Sequence, residues 1–128
     1  MGPLPINSNS VPPYRDEHLY IDFSKQSVVV DAQHLVLTRK EYDLMALLVQ
    51  HAGEIIPRNA LLYRVWGYSP EIRTRTLDVH IRRLRKKLGP YADQYIETIF
   101  GIGYRFQPFH APRFFPAGAQ KPTLAVGA

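Results

Sequence analysis

Three features of the sequence predict an α+β domain with an N-terminal antiparallel sheet, three helices and a C-terminal β-hairpin. Runs rich in branched and aromatic residues, LYIDF, SVVVDA and HLVLT, lie between Leu19 and Thr38 and are separated by polar turns. From Thr38 to Leu88 the apolar residues recur instead at helical spacing, in three stretches with recognisable start and stop signals. Two further strand-like runs, YIETIF and YRFQ, then flank Gly101-Ile102-Gly103, the pattern of a hairpin turn.

Each element has a local reason. Ser24-Lys25-Gln26 and Ala32-Gln33 supply the turns between the first strands. Thr38 followed by Glu41 fits a capping box, with the hydroxyl accepting from an early amide and the carboxylate reaching back to the cap. Leu44, Leu47 and Leu48, with Tyr42 and Met45 on the flank, form the apolar face of a helix that ends near His51, before Gly53. Ile55-Ile56 suits a brief extended link. Pro57 then opens the first turn of a second helix through Leu61, Leu62, Val65 and Trp66, which Gly67 stops. A third helix spans about residues 74–88 and ends at Gly89-Pro90.

Prolines mark the limits. Four of the 11 lie in residues 1–13 and four in residues 108–122, which predicts a folded domain at 17–110, a flexible leader at 1–16 and a disordered tail at 111–128. A chain of 128 residues suits one domain. It has no cysteine, which excludes disulfides, thiolate metal sites and a catalytic thiol. No apolar run is long enough to span a membrane, and MGPLPINSNS lacks the pattern of a secretory signal, so the expected setting is cytoplasmic. The five histidines have no metal-ligand spacing, no nucleophile elbow is present, and Gly101-Ile102-Gly103 is too short for a phosphate loop. The acidic pair Asp16-Glu17 sits in the leader, where solvation is the default. No enzyme activity, no cofactor and no metal is expected.

Charge is concentrated. Residues 72–88 contain Arg73, Arg75, Arg82, Arg83, Arg85, Lys86 and Lys87 against Asp78, a net +6 in a chain whose total is +5, so the other 111 residues carry a net −1. A basic stripe on a near-neutral body points to a polyanion. On a helical wheel Leu77, Ile81, Leu84 and Leu88 fall in one narrow stripe that must face a core, and Arg75, Val79, Arg82, Arg83 and Lys86 lie opposite. Arginine can pair bidentately with guanine, valine can pack on a thymine methyl, and Lys and Arg neutralise phosphates. Asp78 could pre-orient Arg75 and Arg82, or accept from a cytosine amino group. A solvated basic face is the plain alternative. The neutral body, the apolar anchor and the following hairpin favour a nucleic-acid-binding helix, and the order of elements describes a winged helix-turn-helix.

The segments LVLTRKEYDLMALLVQHAGEIIPRNALLYRVWGY, RTRTLDVHIRRLRKKLG and YIETIFGIGYRF, covering about residues 35–106, resemble the DNA-binding effector domain of OmpR/PhoB-type response regulators. The resemblance implies a four-stranded N-terminal sheet, a three-helix body, a hairpin wing and transcriptional control through tandem binding to direct repeats on double-stranded DNA. It places base contacts at Thr76, Asp78, Val79, Arg82, Arg83 and Arg85, although the wheel puts Arg85 on a flank. It associates Trp66, Arg75, His80 and Lys86 with the DNA backbone, with Thr98, Tyr104 and Arg105 as wing candidates. The loop Gly67, Tyr68, Ser69, Pro70 and Glu71 lies where some members touch RNA polymerase.

Three departures accompany the resemblance. Phe100 stands where family wings often carry an arginine, so it either packs or wedges against sugar and base. No receiver-sized segment precedes Leu19, and the Met-Gly-Pro opening favours an excised effector domain over a stand-alone regulator. A sensor kinase is expected only if a longer chain carries a receiver. The tail contains one large apolar pair, Phe114-Phe115, either incidental or a docking contact. A second function class stays open: a winged-helix protein-interaction module whose basic helix meets an acidic protein.

Overall fold

The structure, a computed structural model, describes residues 11–109. The expectations for 1–10 and for the tail at 111–128, including Phe114-Phe115, lie outside the described residues.

Four short strands, β1 (Tyr14–Arg15), β2 (Leu19–Asp22), β3 (Ser27–Val30) and β4 (Gln33–His34), pair antiparallel in that order. Leu19, Ile21, Val28 and Val30 alternate onto the buried face, the period-2 pattern their sequence carries. Asp22 closes the β2–β3 turn by accepting from the Ser24 and Lys25 amides. The predicted strand HLVLT stops at His34. Beyond it, the Val36 carbonyl accepts from Lys87 Nζ at 2.8 Å and Thr38 turns to cap a helix, so both leave the ladder.

That helix, α1 (Arg39–Gln50), has the full capping box: the Glu41 amide donates to Thr38 Oγ1 and the Thr38 amide to Glu41 Oε1. Its buried face is wider than the predicted one, with Tyr42, Met45 and Val49 inside beside Leu44 and Leu48, while Leu47 is half-buried at the edge. The helix is covered from more than one side, by the other helices and by the C-terminal hairpin. β5 (Ile55–Pro57) leads directly into α2 (Arg58–Trp66); Pro57 is its extended N-cap residue, one position before the predicted first turn. Gly67 ends α2 in the left-handed conformation, φ 76°.

The basic helix is α3 (Thr76–Leu88), which starts two residues after the predicted 74: Arg75 is its N-cap residue, and Thr74, one position earlier, accepts from the Thr76 amide through Oγ1. A 3-10 turn at Gly89–Tyr91 and a single helical turn, α4 (Ala92–Tyr95), follow. Four residues are too few to show a periodicity, and α4 was absent from the predicted order. β6 (Ile96–Ile99) and β7 (Gly103–Phe106) form the hairpin, which β5 extends to a three-stranded sheet in the order β5-β7-β6.

The core joins Leu19 and Ile21 of the first sheet to Leu44 and Leu48 of α1, Leu61 of α2, the apolar stripe of α3 and Phe106 of the hairpin. The boundary placed at residue 16 cuts through an ordered element. Tyr14 and Arg15 pair with Ile21 and Tyr20, and Asp16 ties the two ends of the domain together. Its Oδ1 accepts from the His18 and Leu19 amides and the Tyr95 hydroxyl, and its Oδ2 from the Tyr14 hydroxyl and the Phe109 amide. Burial opposes the charge on Asp16, but the hydrogen bonds from Tyr14, Tyr95 and the two amides outweigh it and hold the carboxyl below the usual aspartate range. Asp16 is thus a structural anchor, in place of the solvated carboxylate its sequence position suggested.

Candidate nucleic-acid interface

α3 is held from below. Leu77, Ile81, Leu84 and Leu88 are all within 1% of complete burial, as the wheel predicted. Fixing one stripe of a 13-residue helix fixes what the other side presents. Arg75, Arg82, Arg83 and Lys86 are exposed there, with Val79 half-buried among them, and none of these four cations is ion-paired with a described residue. Arg73, just before the helix, is exposed as well. A rigid helix carrying unpaired guanidiniums around one apolar side chain has the chemistry to meet phosphates and base edges.

The other named residues fall into place around it. Thr76 shares a hydroxyl hydrogen bond of 2.7 Å with Thr74 at the helix start. The His80 ring packs edge-on to Trp66, with centroids 4.8 Å apart, which places the indole in the α2–α3 contact. His80 Nδ1 lies 2.8 Å from the Thr76 carbonyl, and since a carbonyl only accepts, Nδ1 is the donor. Nε2 then offers a lone pair, and could donate to a phosphate only from the imidazolium form.

Five expected DNA contacts are engaged inside the domain. Arg85 turns toward the hairpin: its guanidinium donates to the Ile96 carbonyl at 2.8 Å and to Thr98 Oγ1 at 2.7 Å, and lies 5.9 Å from the Tyr104 ring centroid. Its flank position on the wheel aims it at β6, away from the exposed face. Tyr104 is buried and donates its hydroxyl to Asp78 Oδ1 at 2.6 Å, and burial, with Asp78 second, pushes the phenol up to about 12. It is not available as a phosphate donor. Arg105 pairs with Glu97 directly across the hairpin, at 2.7 and 3.0 Å, so its charge is neutralised within the wing. Thr98 accepts from Arg85 and keeps its own hydroxyl proton for another acceptor.

Asp78 is the fifth. Its expected partners were Arg75 and Arg82, but its Oδ1 receives Arg58 Nη1 at 2.5 Å together with the Tyr104 hydroxyl. Burial raises its carboxyl, yet the bonds from Arg58 and Tyr104 outweigh this and leave the group below the usual range. Arg58 was missed in the sequence. Its signal was a cation at the first position of α2, where the helix dipole disfavours positive charge, and Asp78 compensates for it. Lys87 is a second such case: it reaches away from the basic face to the buried carboxylate of Glu41, 2.6 Å away. The ties Arg85–Thr98 and Arg58–Asp78–Tyr104 bind α2, α3 and the hairpin into one rigid unit.

In the α2–α3 loop, Ser69, Pro70 and Glu71 are exposed while Tyr68 packs against the core. Beside it an open groove of about 880 Å³ is bordered by Arg58, Pro70, Glu71, Arg73 and Arg75. Among the described residues there is no cluster of three or more metal-ligating side chains, and no helix is long and apolar enough to cross a membrane.

Comparison with known proteins agrees with this geometry. Residues 32–106 match the family described as "Transcriptional regulatory protein, C terminal". The response regulator ArlR of Staphylococcus saprophyticus is 45% identical over 87 residues, which is 67% of this chain and 40% of that protein. The chain therefore spans about two fifths of the length of such relatives. The DNA-binding domain of CpxR from Escherichia coli superposes with a TM-score of 0.68 at 30% identity, covering 76% of this chain and 97% of that one. The Klebsiella pneumoniae RstA DNA-binding domain, solved in complex with the RstA box, also gives 0.68, at 33% identity and 76% and 98% coverage. A hairpin wing locked to a basic helix, over a body of this topology, accords with these matches, and the chain belongs to the OmpR/PhoB-type family of C-terminal DNA-binding domains of transcriptional regulators.

Proposed function

We propose that this domain binds double-stranded DNA in a sequence-specific manner, with α3 in the major groove. The observation that carries the reading is the exposed set Arg75, Arg82, Arg83 and Lys86 around Val79, unpaired among the described residues, on a helix whose opposite stripe is buried. Arg82, Arg83 and Val79, with Thr76 at the helix start, are the base readers; Arg75 and Lys86, with the edge of Trp66 and, in its imidazolium form, His80, hold the phosphates. Asp78 and Arg85 act through other residues, by positioning Arg58 and the wing. Two copies bind in tandem on direct repeats, each through one such helix. The exposed loop at Ser69–Glu71 is a surface for RNA polymerase. In a longer chain that carries a receiver domain, a sensor kinase would control the output by phosphorylation.

The test is selection of bound sequences from a random duplex pool at two salt concentrations. A direct-repeat motif spaced by about one helical turn is the expected result. Salt-sensitive binding without any motif would refute sequence specificity and leave a generic basic helix, and the protein-interaction alternative would then lead.

A further inference from the structure

We infer that DNA binding by this domain takes up a proton at His80, which couples its affinity for DNA to pH near neutrality. The inference deepens the DNA-binding reading above and rests on it. That reading sets His80 beside a phosphate, and the fixed geometry of the ring decides which protonation state can serve there.

The ring is held on two sides. His80 is half-buried one turn into α3 and meets Trp66, the last residue of α2, edge to face, with centroids 4.8 Å apart and planes at 71°. Nδ1 donates to the Thr76 carbonyl one turn back, at 2.8 Å. The other neutral tautomer, with its proton on Nε2, would set a lone pair of Nδ1 against a carbonyl lone pair at that distance. The neutral ring therefore keeps its proton on Nδ1 and presents a bare lone pair on Nε2. Among the described residues Nε2 has no hydrogen-bond partner, and the buried side-chain atom left unpartnered is Arg85 Nε, not this one.

Charged groups face the ring from α1 and from its own helix. α1 contributes Glu41, a buried carboxylate bonded to Lys87, and Lys40, whose ammonium donates at 2.8 Å to the Val65 carbonyl beside Trp66. α2 contributes the neutral indole. On α3, Arg83 and Lys87 lie three and seven residues on, along the same side of the helix, while Asp78 is turned to Arg58. Burial opposes the charge on Glu41, but the hydrogen bonds from Lys87 and the Thr38 amide, with the fields of Lys87 and His80, hold its carboxyl below the usual range. Ring and carboxylate thus act on one another. In the free domain a proton on His80 is attracted by Glu41 and repelled by Lys40, Arg83 and Lys87. A phosphate at Nε2 adds a second negative neighbour, and an acceptor that only the imidazolium can satisfy. Against the neutral ring the same phosphate meets a lone pair. Bound DNA therefore favours the imidazolium more than the free domain does, and binding draws in a proton wherever the free ring is neutral.

The experiment measures binding of the full chain, residues 1–128, to a duplex carrying one half-site, by fluorescence anisotropy at pH 6 and pH 8 and constant ionic strength. One linked proton limits the change to about ten-fold per pH unit, so wild type should bind on the order of ten-fold more weakly at pH 8. H80Q, whose amide can donate to a phosphate but does not titrate, should bind equally at the two pH values. Titration calorimetry in two buffers of different ionisation enthalpy counts the protons: net uptake of up to about one per protomer near pH 7 for wild type, and none for H80Q. Were H80Q to unfold, the His80 ring resonances of wild type give the same answer. Their titration midpoint should move to higher pH on the duplex, and an unmoved midpoint would overturn the inference. A pH trend of the same size in H80Q would also overturn it, by assigning the proton to another group. So would equal wild-type affinity at both pH values without proton uptake, and the DNA-binding reading would then stand alone. Failure to bind any duplex at either pH would sink that reading itself, and this inference with it.

Discussion

Arg85→Ala separates two roles that the sequence could not. In the sequence the family resemblance makes Arg85 a base reader while the helical wheel puts it on a flank; in the structure its guanidinium is the clamp between α3 and β6. Removing it deletes two hydrogen bonds from a charged donor and leaves the Ile96 carbonyl without its side-chain donor. Hydrogen bonds to charged groups contribute about 1.5–3 kcal/mol each, and half-burial argues for the low end, so the loss should be about 2–3 kcal/mol. For a domain of this size roughly 4–8 °C of melting temperature accompanies each kcal/mol, which predicts a fall of about 8–24 °C. The assay is thermal unfolding followed by circular dichroism, paired with sequence selection on DNA below the lowered transition. The selected motif should be the same as for wild type, with affinity reduced by looser wing placement. A melting temperature within about 2 °C of wild type, together with lost preference at one base position, would refute the positioning role and restore Arg85 to the base readers.

Arg82→Ala and Arg83→Ala should each cost about 1–3 kcal/mol on the selected site and relax one base position, with folding unchanged because both side chains are exposed; equal losses on every sequence would move them to the phosphate class. Asp16→Asn should lower stability at neutral pH by about 1–3 kcal/mol, since five hydrogen bonds converge on the carboxylate. The Asp16 carboxyl ionises at a lower pH in the folded state than in the unfolded chain, so its contribution is complete above about pH 5 and fades as the pH falls through the folded-state value. Denaturant unfolding measured from pH 7 to pH 3 should therefore show wild type converging on D16N at the acid end; a constant gap across that range would contradict the anchor role.

Most of the fold was legible because its signals are local. The capping box at Thr38 and Glu41, the α3 stripe, the stop at Gly67 and the hairpin around Gly101 depend on residues within a few positions of one another. What stayed hidden depends on contacts distant in sequence. Asp16 is two residues from Tyr14 but 79 from Tyr95 and 93 from Phe109, and no spacing rule reaches that far. Lys87 finds Glu41 from 46 residues away, which a helical wheel reads only as one more exposed cation. Arg105 is a different case: the predicted hairpin already sets Glu97 opposite it, so the cross-strand pair was available to a reading of register. The wheel also placed Arg85 on the flank where the structure finds it, and β6 supplies the partners that make a flank arginine internal.

These internal pairings change what the charge count means for DNA. Seven basic residues lie in 72–88, and if all met phosphates, log K would fall against log salt with a slope of about −6 per protomer. Arg85 and Lys87 are engaged with β6 and with Glu41. Arg58 and Arg105, outside that segment, are likewise neutralised by Asp78 and Glu97. The cations of that segment with no ion-pair partner among the described residues are Arg73, Arg75, Arg82, Arg83 and Lys86, and two of these are assigned to bases. Between three and five phosphate contacts then remain, a slope of about −2.7 to −4.5 per protomer in a titration from 50 to 200 mM salt. A slope near −6 would require Arg85 and Lys87 to leave their partners on binding. That would mean the wing and the α1 cap rearrange on DNA, so the same titration tests whether the helix–wing unit binds as a rigid body.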